Sequence, residues 1–255
     1  MVATAPSSLA AMPEIEGAGV TLHVVQRGSG QPLLVIHGLA SDAQAWSPQL
    51  ELLADAGARA IAYDRRGYGS SGAPEPYVAT TVQEQAQDAA MVLEQLDGAP
   101  ALLLGDGFGA LVALELLVRR PALATGAVLV DVPLFAFVPA ATEALAAQRE
   151  LLEQALREGG PQAAVQAWLG DAAGADSVSR ARTWQRGFFA DYAGQSSWSP
   201  SRRELRAIAL PVAVVTGPSS PAHVVAAADA AAALLPAARR LHDGDAVAAA
   251  VALMR

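Results

Sequence analysis

The chain has 255 residues, 53% of them hydrophobic and 16% charged, which excludes a disordered or low-complexity polymer and suits one large apolar core carrying an inserted subdomain. Its 25 acidic and 17 basic side chains leave a net charge of −8, which disfavours nucleic acid and anionic membrane surfaces; the expected partner is a small, mostly apolar molecule. Cysteine is absent and every basic side chain is arginine, so disulfides, thiolate ligands, a cysteine nucleophile and a Schiff-base lysine are all excluded.

From the N-terminus, Met1 to Pro13 has neither a basic start nor a long apolar stretch, so the expected location is cytoplasmic. Short Val/Ile/Leu-rich runs predict strands at Val20–Val25, Leu33–Ile36, Arg59–Tyr63, Ala101–Leu104, Ala127–Val130, Val212–Thr216 and Arg239–His242. Between them Val82, Ala86, Ala89, Leu93 and Leu96 recur at helical spacing, with Thr80 or Thr81 as N-cap and Gly98 and Pro100 as the stop. This alternation predicts an α/β fold with a mostly parallel twisted sheet covered by helices on both faces. It breaks between Val132 and Ile208, where the pattern is helical throughout, with Thr142 as a candidate N-cap and Gly159 and Gly160 as a stop. The expected organisation is therefore a core of residues 1–131 and 208–255 and a helical cap of 132–207. The cap holds more than half of the aromatic side chains, which either line a pocket or form its own small core. No run is long and apolar enough to cross a membrane, no histidine or carboxylate cluster has metal-ligand spacing, and no cofactor is implied. Oligomeric state, monomer or homodimer, stays open.

Four segments resemble the α/β-hydrolase superfamily. LLVIHGLASDAQAW (33–46) is similar to its strand and His-Gly oxyanion loop, and DRRGYGSSG (64–72) to the turn after the next strand. LLLGDGFGALVALELL (102–117) is similar to the strand, nucleophile elbow and helix, and GAVLVDVP (126–133) to the strand that follows. The resemblance implies the α/β-hydrolase fold with an inserted helical cap. It also implies that Gly105 and Gly109 are the small flanks of the elbow, which puts Gly107 where the family carries Ser, Asp or Cys. A non-glycine residue in an outlying backbone conformation costs about 1 to 3 kcal/mol, and glycine removes that strain at a position no longer used for attack. The acid position of the resemblance falls on Ser220, with Asp131 as the other place some members use; the histidine position falls on His242 or nearer Asp245, in a loop that looks shortened.

The backbone N–H groups of Phe108 and Leu39 are the implied oxyanion-hole donors, and these survive a change of side chain at 107. Candidates for proton transfer are Asp106, His37, Asp131 and His242, and candidates for substrate contact are Trp46, Phe135, Phe137, Trp184 and Phe188. Each has a plain alternative: His37 as a loop brace, Asp106 as a cap or solvent-facing group, His23 and His223 as surface residues, and Asp64, Arg65 and Arg66 as turn-forming structure. Three readings of function follow. One is non-covalent acid/base chemistry on a carbonyl compound: cyclisation, isomerisation, elimination or decarboxylation. Another is a pseudo-hydrolase that binds a ligand or partner, as the glycine elbow of the N-myc downstream-regulated proteins suggests. The last is an esterase or epoxide-type hydrolase whose nucleophile has been removed, which needs Asp131 and His242 to complete a dyad.

Overall fold

The computed structural model describes residues 14–170 and 173–255, so the expectation for Met1–Pro13 lies outside the described residues. An eight-stranded sheet runs in the order β1-β2-β4-β3-β5-β6-β7-β8. The strands are β1 (Glu14–Glu16), β2 (Thr21–Arg27), β3 (Gln31–Ile36), β4 (Ala58–Tyr63), β5 (Ala101–Asp106), β6 (Ala124–Val130), β7 (Val212–Val215) and β8 (Ala238–Leu241). The first two pair antiparallel, β2 joins β4 antiparallel, and every pairing from β4 to β8 is parallel. The sequence missed β1 because two of its three residues are glutamate.

Near-continuous apolar runs are what a sheet buried on both faces requires, since successive side chains point to opposite sides. Leu34, Ile36, Ile61, Leu103, Leu129 and Val214 face one layer, with helices α2 (Val82–Gln95), α3 (Phe108–Arg119) and α8 (Ala222–Leu234) packed there. Their neighbours Leu33, Val35, Ala62, Leu104, Val128 and Val215 face the other, under α1 (Ser47–Asp55) and α9 (Ala246–Leu253). The N-cap of α2 is Thr81, whose Oγ1 accepts the Glu84 N–H at 3.1 Å.

Between β6 and β7 the described residues contain helices and no strand: α4 (Ala141–Leu169), α5 (Ala175–Thr183), α6 (Gln185–Gln195) and α7 (Arg202–Arg206). Thr142 is not the cap of α4; it lies inside the first turn and its hydroxyl donates to the Pro139 carbonyl. The helix breaks at Gly160 (φ 75°, ψ −171°), where Pro161 begins a second rod. Both ends of the 132–207 segment are built into the main core, through Val132 and Leu134 on one side and Trp198 and Leu205 on the other.

The loops that carry the candidate residues of the sequence follow the carboxyl ends of β3, β5, β6 and β8, the edge at which open α/β sheets bind ligands.

Candidate active site

The centre of that edge is the turn between β5 and α3. Gly107 occupies it with φ 50° and ψ −115°, and its N–H donates to the Val130 carbonyl of the neighbouring strand at 2.9 Å. The flanking glycines are forced by contact: a Cβ on Gly105 would lie 2.4 Å from the Gly109 carbonyl oxygen, and one on Gly109 would lie 2.0 Å from the Ile36 carbonyl oxygen. A Cβ on Gly107 would meet only the Gly38 Cα, at 3.9 Å. The site therefore has room for a side chain and holds none.

Phe108 is the first residue of α3, so its N–H has no carbonyl partner within the helix and faces the turn at the positive end of the helix dipole. The Leu39 N–H is aimed by its own peptide. Gly38 O, on the other side of that trans amide, accepts from the Arg65 guanidinium at 2.9 Å and from His37 Nδ1 at 2.9 Å, which fixes the plane and turns the N–H of Leu39 the opposite way.

Asp106 ends β5 on the sheet face opposite α3, with its carboxylate against Gly38. Burial, reinforced by the charge of Asp131 and opposed by that of Arg65, pushes its pKa up to about 7. Such a group exchanges its proton at neutral pH. Asp131 follows β6 in a left-handed conformation (φ 45°), and its Oδ1 accepts the Ser220 hydroxyl at 2.6 Å, while Ser220 Oγ accepts the Gly217 N–H. The two acid positions named in the sequence thus bond to each other.

The remaining proton-transfer candidates, His37 and His242, lie in opposite environments. His37 is fully buried; the Arg65 N–H donates to its Nε2 at 3.0 Å, so Nδ1 carries the proton given to Gly38 O. Desolvation and the adjacent arginine hold its pKa well below the ordinary value, so it is a neutral brace with no nitrogen left for a substrate. His242 is not a strand residue: β8 stops at Leu241, and the imidazole is exposed in the turn that follows, with no hydrogen-bond partner among the described residues. Asp245, the other candidate for that position, caps α9 by accepting the Ala248 N–H at 2.7 Å.

The aromatic candidates separate as well. Phe188 is the centre of a small core among the helices between β6 and β7, edge-on to Trp168 and Phe189 and stacked on Tyr192, with no surface exposed. Trp46 packs on the α1 and α9 side of the sheet, away from those helices. Phe137 lies under the Arg202 guanidinium and against the main core. Trp184 is half-buried at the α5–α6 junction, with an indole N–H that has no acceptor among the described residues. Phe135 borders a cavity of about 560 Å³ between α3, α4 and α6.

The sequence did not reveal how the His37–Gly38 loop is held. Arg65 is fully buried and donates to the carbonyls of His37 and Gly38, to Gln85 Oε1 and to Asp191 Oδ2 of α6, the last at 2.6 Å. Asp191 also accepts from Tyr68 and Gln85. On the same face of α6, Gly187 and Gly194 let the helix approach until any added Cβ would meet Gly67 O at 2.7 Å and Thr80 O at 2.5 Å. A lone Asp in the run FFADYAG, at helical spacing from two glycines, was the available signal. Arg66 is the neighbouring turn residue, paired bidentately with buried Asp88. Among the described residues no cluster of His, Asp and Glu could hold a metal ion.

A family model of the alpha/beta hydrolase fold matches residues 31–247. The chain belongs to the α/β-hydrolase family. An epoxide hydrolase of Caballeronia sordidicola is 36% identical over 108 residues, which cover 42% of this chain and 33% of that protein. The putative non-heme bromoperoxidase BpoC of Mycobacterium tuberculosis is 36% identical over 111 residues, 43% of this chain and 41% of BpoC. The matched stretch thus spans only about a third to two-fifths of these relatives. Among solved structures, an alpha/beta hydrolase from Sphaerobacter thermophilus superposes with a TM-score of 0.75 at 22% identity, over 95% of this chain and 100% of the other. The enol-lactonase of Burkholderia xenovorans superposes with a TM-score of 0.70, also at 22% identity, over 92% and 93%. These superpositions establish the α/β-hydrolase fold. No helix among the described residues is long and apolar enough to cross a membrane.

Proposed function

We propose that this α/β-hydrolase-fold protein acts without an enzyme-linked ester, binding a small, mostly apolar carbonyl compound at the elbow beneath a cap formed by residues 132–207. The observation that carries the reading is the pairing of an empty elbow at Gly107 with Asp106, whose proton is held near neutrality. In this reading a carbonyl or enolate oxygen sits in the space beside Gly107 and accepts from the N–H groups of Phe108 and Leu39, which stabilise negative charge on it. Asp106 takes or returns the proton, and Asp131, tied to Ser220, keeps the second carboxylate in place. Isomerisation, elimination, cyclisation or decarboxylation all fit this set of groups, because none needs an attacking side chain. The relatives named above as epoxide hydrolase and bromoperoxidase support small-molecule chemistry of the hydrolase type. The expected partner remains a small molecule, not nucleic acid or membrane, in keeping with the charge of −8.

The test is a panel of ketones, lactones and β-keto acids screened by thermal shift, with hits followed for turnover by NMR. Turnover that falls at least 100-fold in Asp106→Asn while binding persists supports the reading. Labelling of the wild-type chain by a fluorophosphonate would overturn it. Binding of carbonyl ligands with no conversion favours instead the pseudo-hydrolase reading, which the exposed His242, without a hydrogen-bond partner among the described residues, supports.

A further inference from the structure

The cavity of about 560 Å³ bordered by Phe135 includes none of Leu39, Asp106, Gly107 or Phe108, so its occupant is argued from its own walls. Its volume lies in the range that encloses small organic ligands. The wall nearest the sheet is apolar: Leu111 from α3, Leu134 and Phe135 from the segment after β6, and Trp198. Trp198 gives its indole N–H to buried Glu115 at 2.8 Å, so it has only apolar surface to offer the cavity.

The opposite wall comes from α4 and α6: Leu145 and Ala146 are apolar, Gln148, Gln195 and Ser196 are polar, and Arg149 is charged. Arg149 is exposed and pairs with Glu153 at 2.8 Å, and the Ser196 hydroxyl donates to the Ala193 carbonyl at 3.0 Å. Gln148 and Gln195, both half-buried and both lining the cavity, make no intramolecular side-chain hydrogen bond among the described residues. Two carboxamides together offer donors and acceptors and no net charge. The α6 wall is also immobilised from behind, since the face carrying Gly187, Asp191 and Gly194 is packed against the core and bound to Arg65.

We propose that this cavity is a binding site for an uncharged amphiphilic small molecule, its apolar body against Leu111, Leu134, Phe135 and Trp198 and its amide-like head hydrogen-bonded to Gln148 and Gln195. An anion would meet no cation in the lining except Arg149, which is exposed and already paired with Glu153, and a plain hydrocarbon would leave both carboxamides unpaired. The assignment holds whether or not the elbow turns over a substrate.

Calorimetric titration of the whole chain with three matched probes tests it: 4-phenylbutanamide, butylbenzene and 4-phenylbutyrate. The amide is expected to bind at least tenfold more tightly than the other two. Gln148→Leu with Gln195→Leu should remove that preference while leaving butylbenzene binding intact, and Leu145→Trp, which fills the cavity, should weaken all three. Because Leu145→Trp can also disturb packing, the glutamine pair, on half-buried positions, carries the decision. Equal affinities, tightest binding of the carboxylate, or a glutamine pair without effect would overturn the assignment. So would an affinity lost in Asp106→Asn, which would move the probe to the elbow; failure of the elbow chemistry alone leaves the cavity result standing.

Discussion

Two stretches of the same sheet edge contrast sharply. The loops after β3 and β4 are held by Asp64, Arg65 and Arg66, each buried and each making several hydrogen bonds. The loop after β8 is a short turn, with His242 exposed and Asp245 used as a helix cap. The end that orients the Leu39 N–H is densely hydrogen-bonded, whereas the end where the family resemblance places a histidine is a short, exposed connection. In the proposed function, binding and orienting an oxygen draws on the first end.

The largest expected effect lies in the braced end. Arg65→Ala leaves Asp191 as an unpaired buried carboxylate and frees the His37–Gly38 loop, so a loss of about 3–5 kcal/mol is expected in denaturant unfolding. A loss under 1 kcal/mol would break the contrast. Next comes Gly107→Ala, for which about 1–3 kcal/mol is expected from the positive φ alone, because the added methyl finds open space.

Asp106 sharpens the comparison through pH. Its folded pKa of about 7 lies above the ordinary carboxyl value of 3.8, so the folded chain binds more protons between those limits and stability declines as pH rises from about 4 to 7. Asp106→Asn escapes that decline and should be more stable than wild type at pH 8, by about 2 kcal/mol once the shift is discounted for the partial exposure of Asp106, with the gain absent at pH 4. A gain of equal size at both pH values would refute the buried-carboxyl account. Smallest is His242→Ala, expected to lie within about 0.5 kcal/mol of wild type in the same assay, as for an exposed side chain without partners.

How much of this was legible follows from the range of each interaction. The elbow could be read because Gly105, Gly107 and Gly109 answer to contacts within a few residues or on the next strand, and glycine leaves a visible mark. Strands of the parallel sheet were legible as apolar runs. The exchange of partners between Asp131 and Ser220 was not, because it joins residues 89 positions apart and depends on adjacent strand ends. Asp191 was equally hidden: its partners Arg65, Tyr68 and Gln85 come from a turn and a helix far upstream. Phe188 and Phe135 look alike in sequence, and only the packing of α6 sends one into a core and leaves the other beside a cavity.

The roominess at position 107 leaves torsion as what opposes a Cβ there, so the turn would accept a small side chain at the strain of its positive φ. The β8–α9 connection gives no such latitude: Asp245 is held as the cap of α9 and His242 stands in solvent.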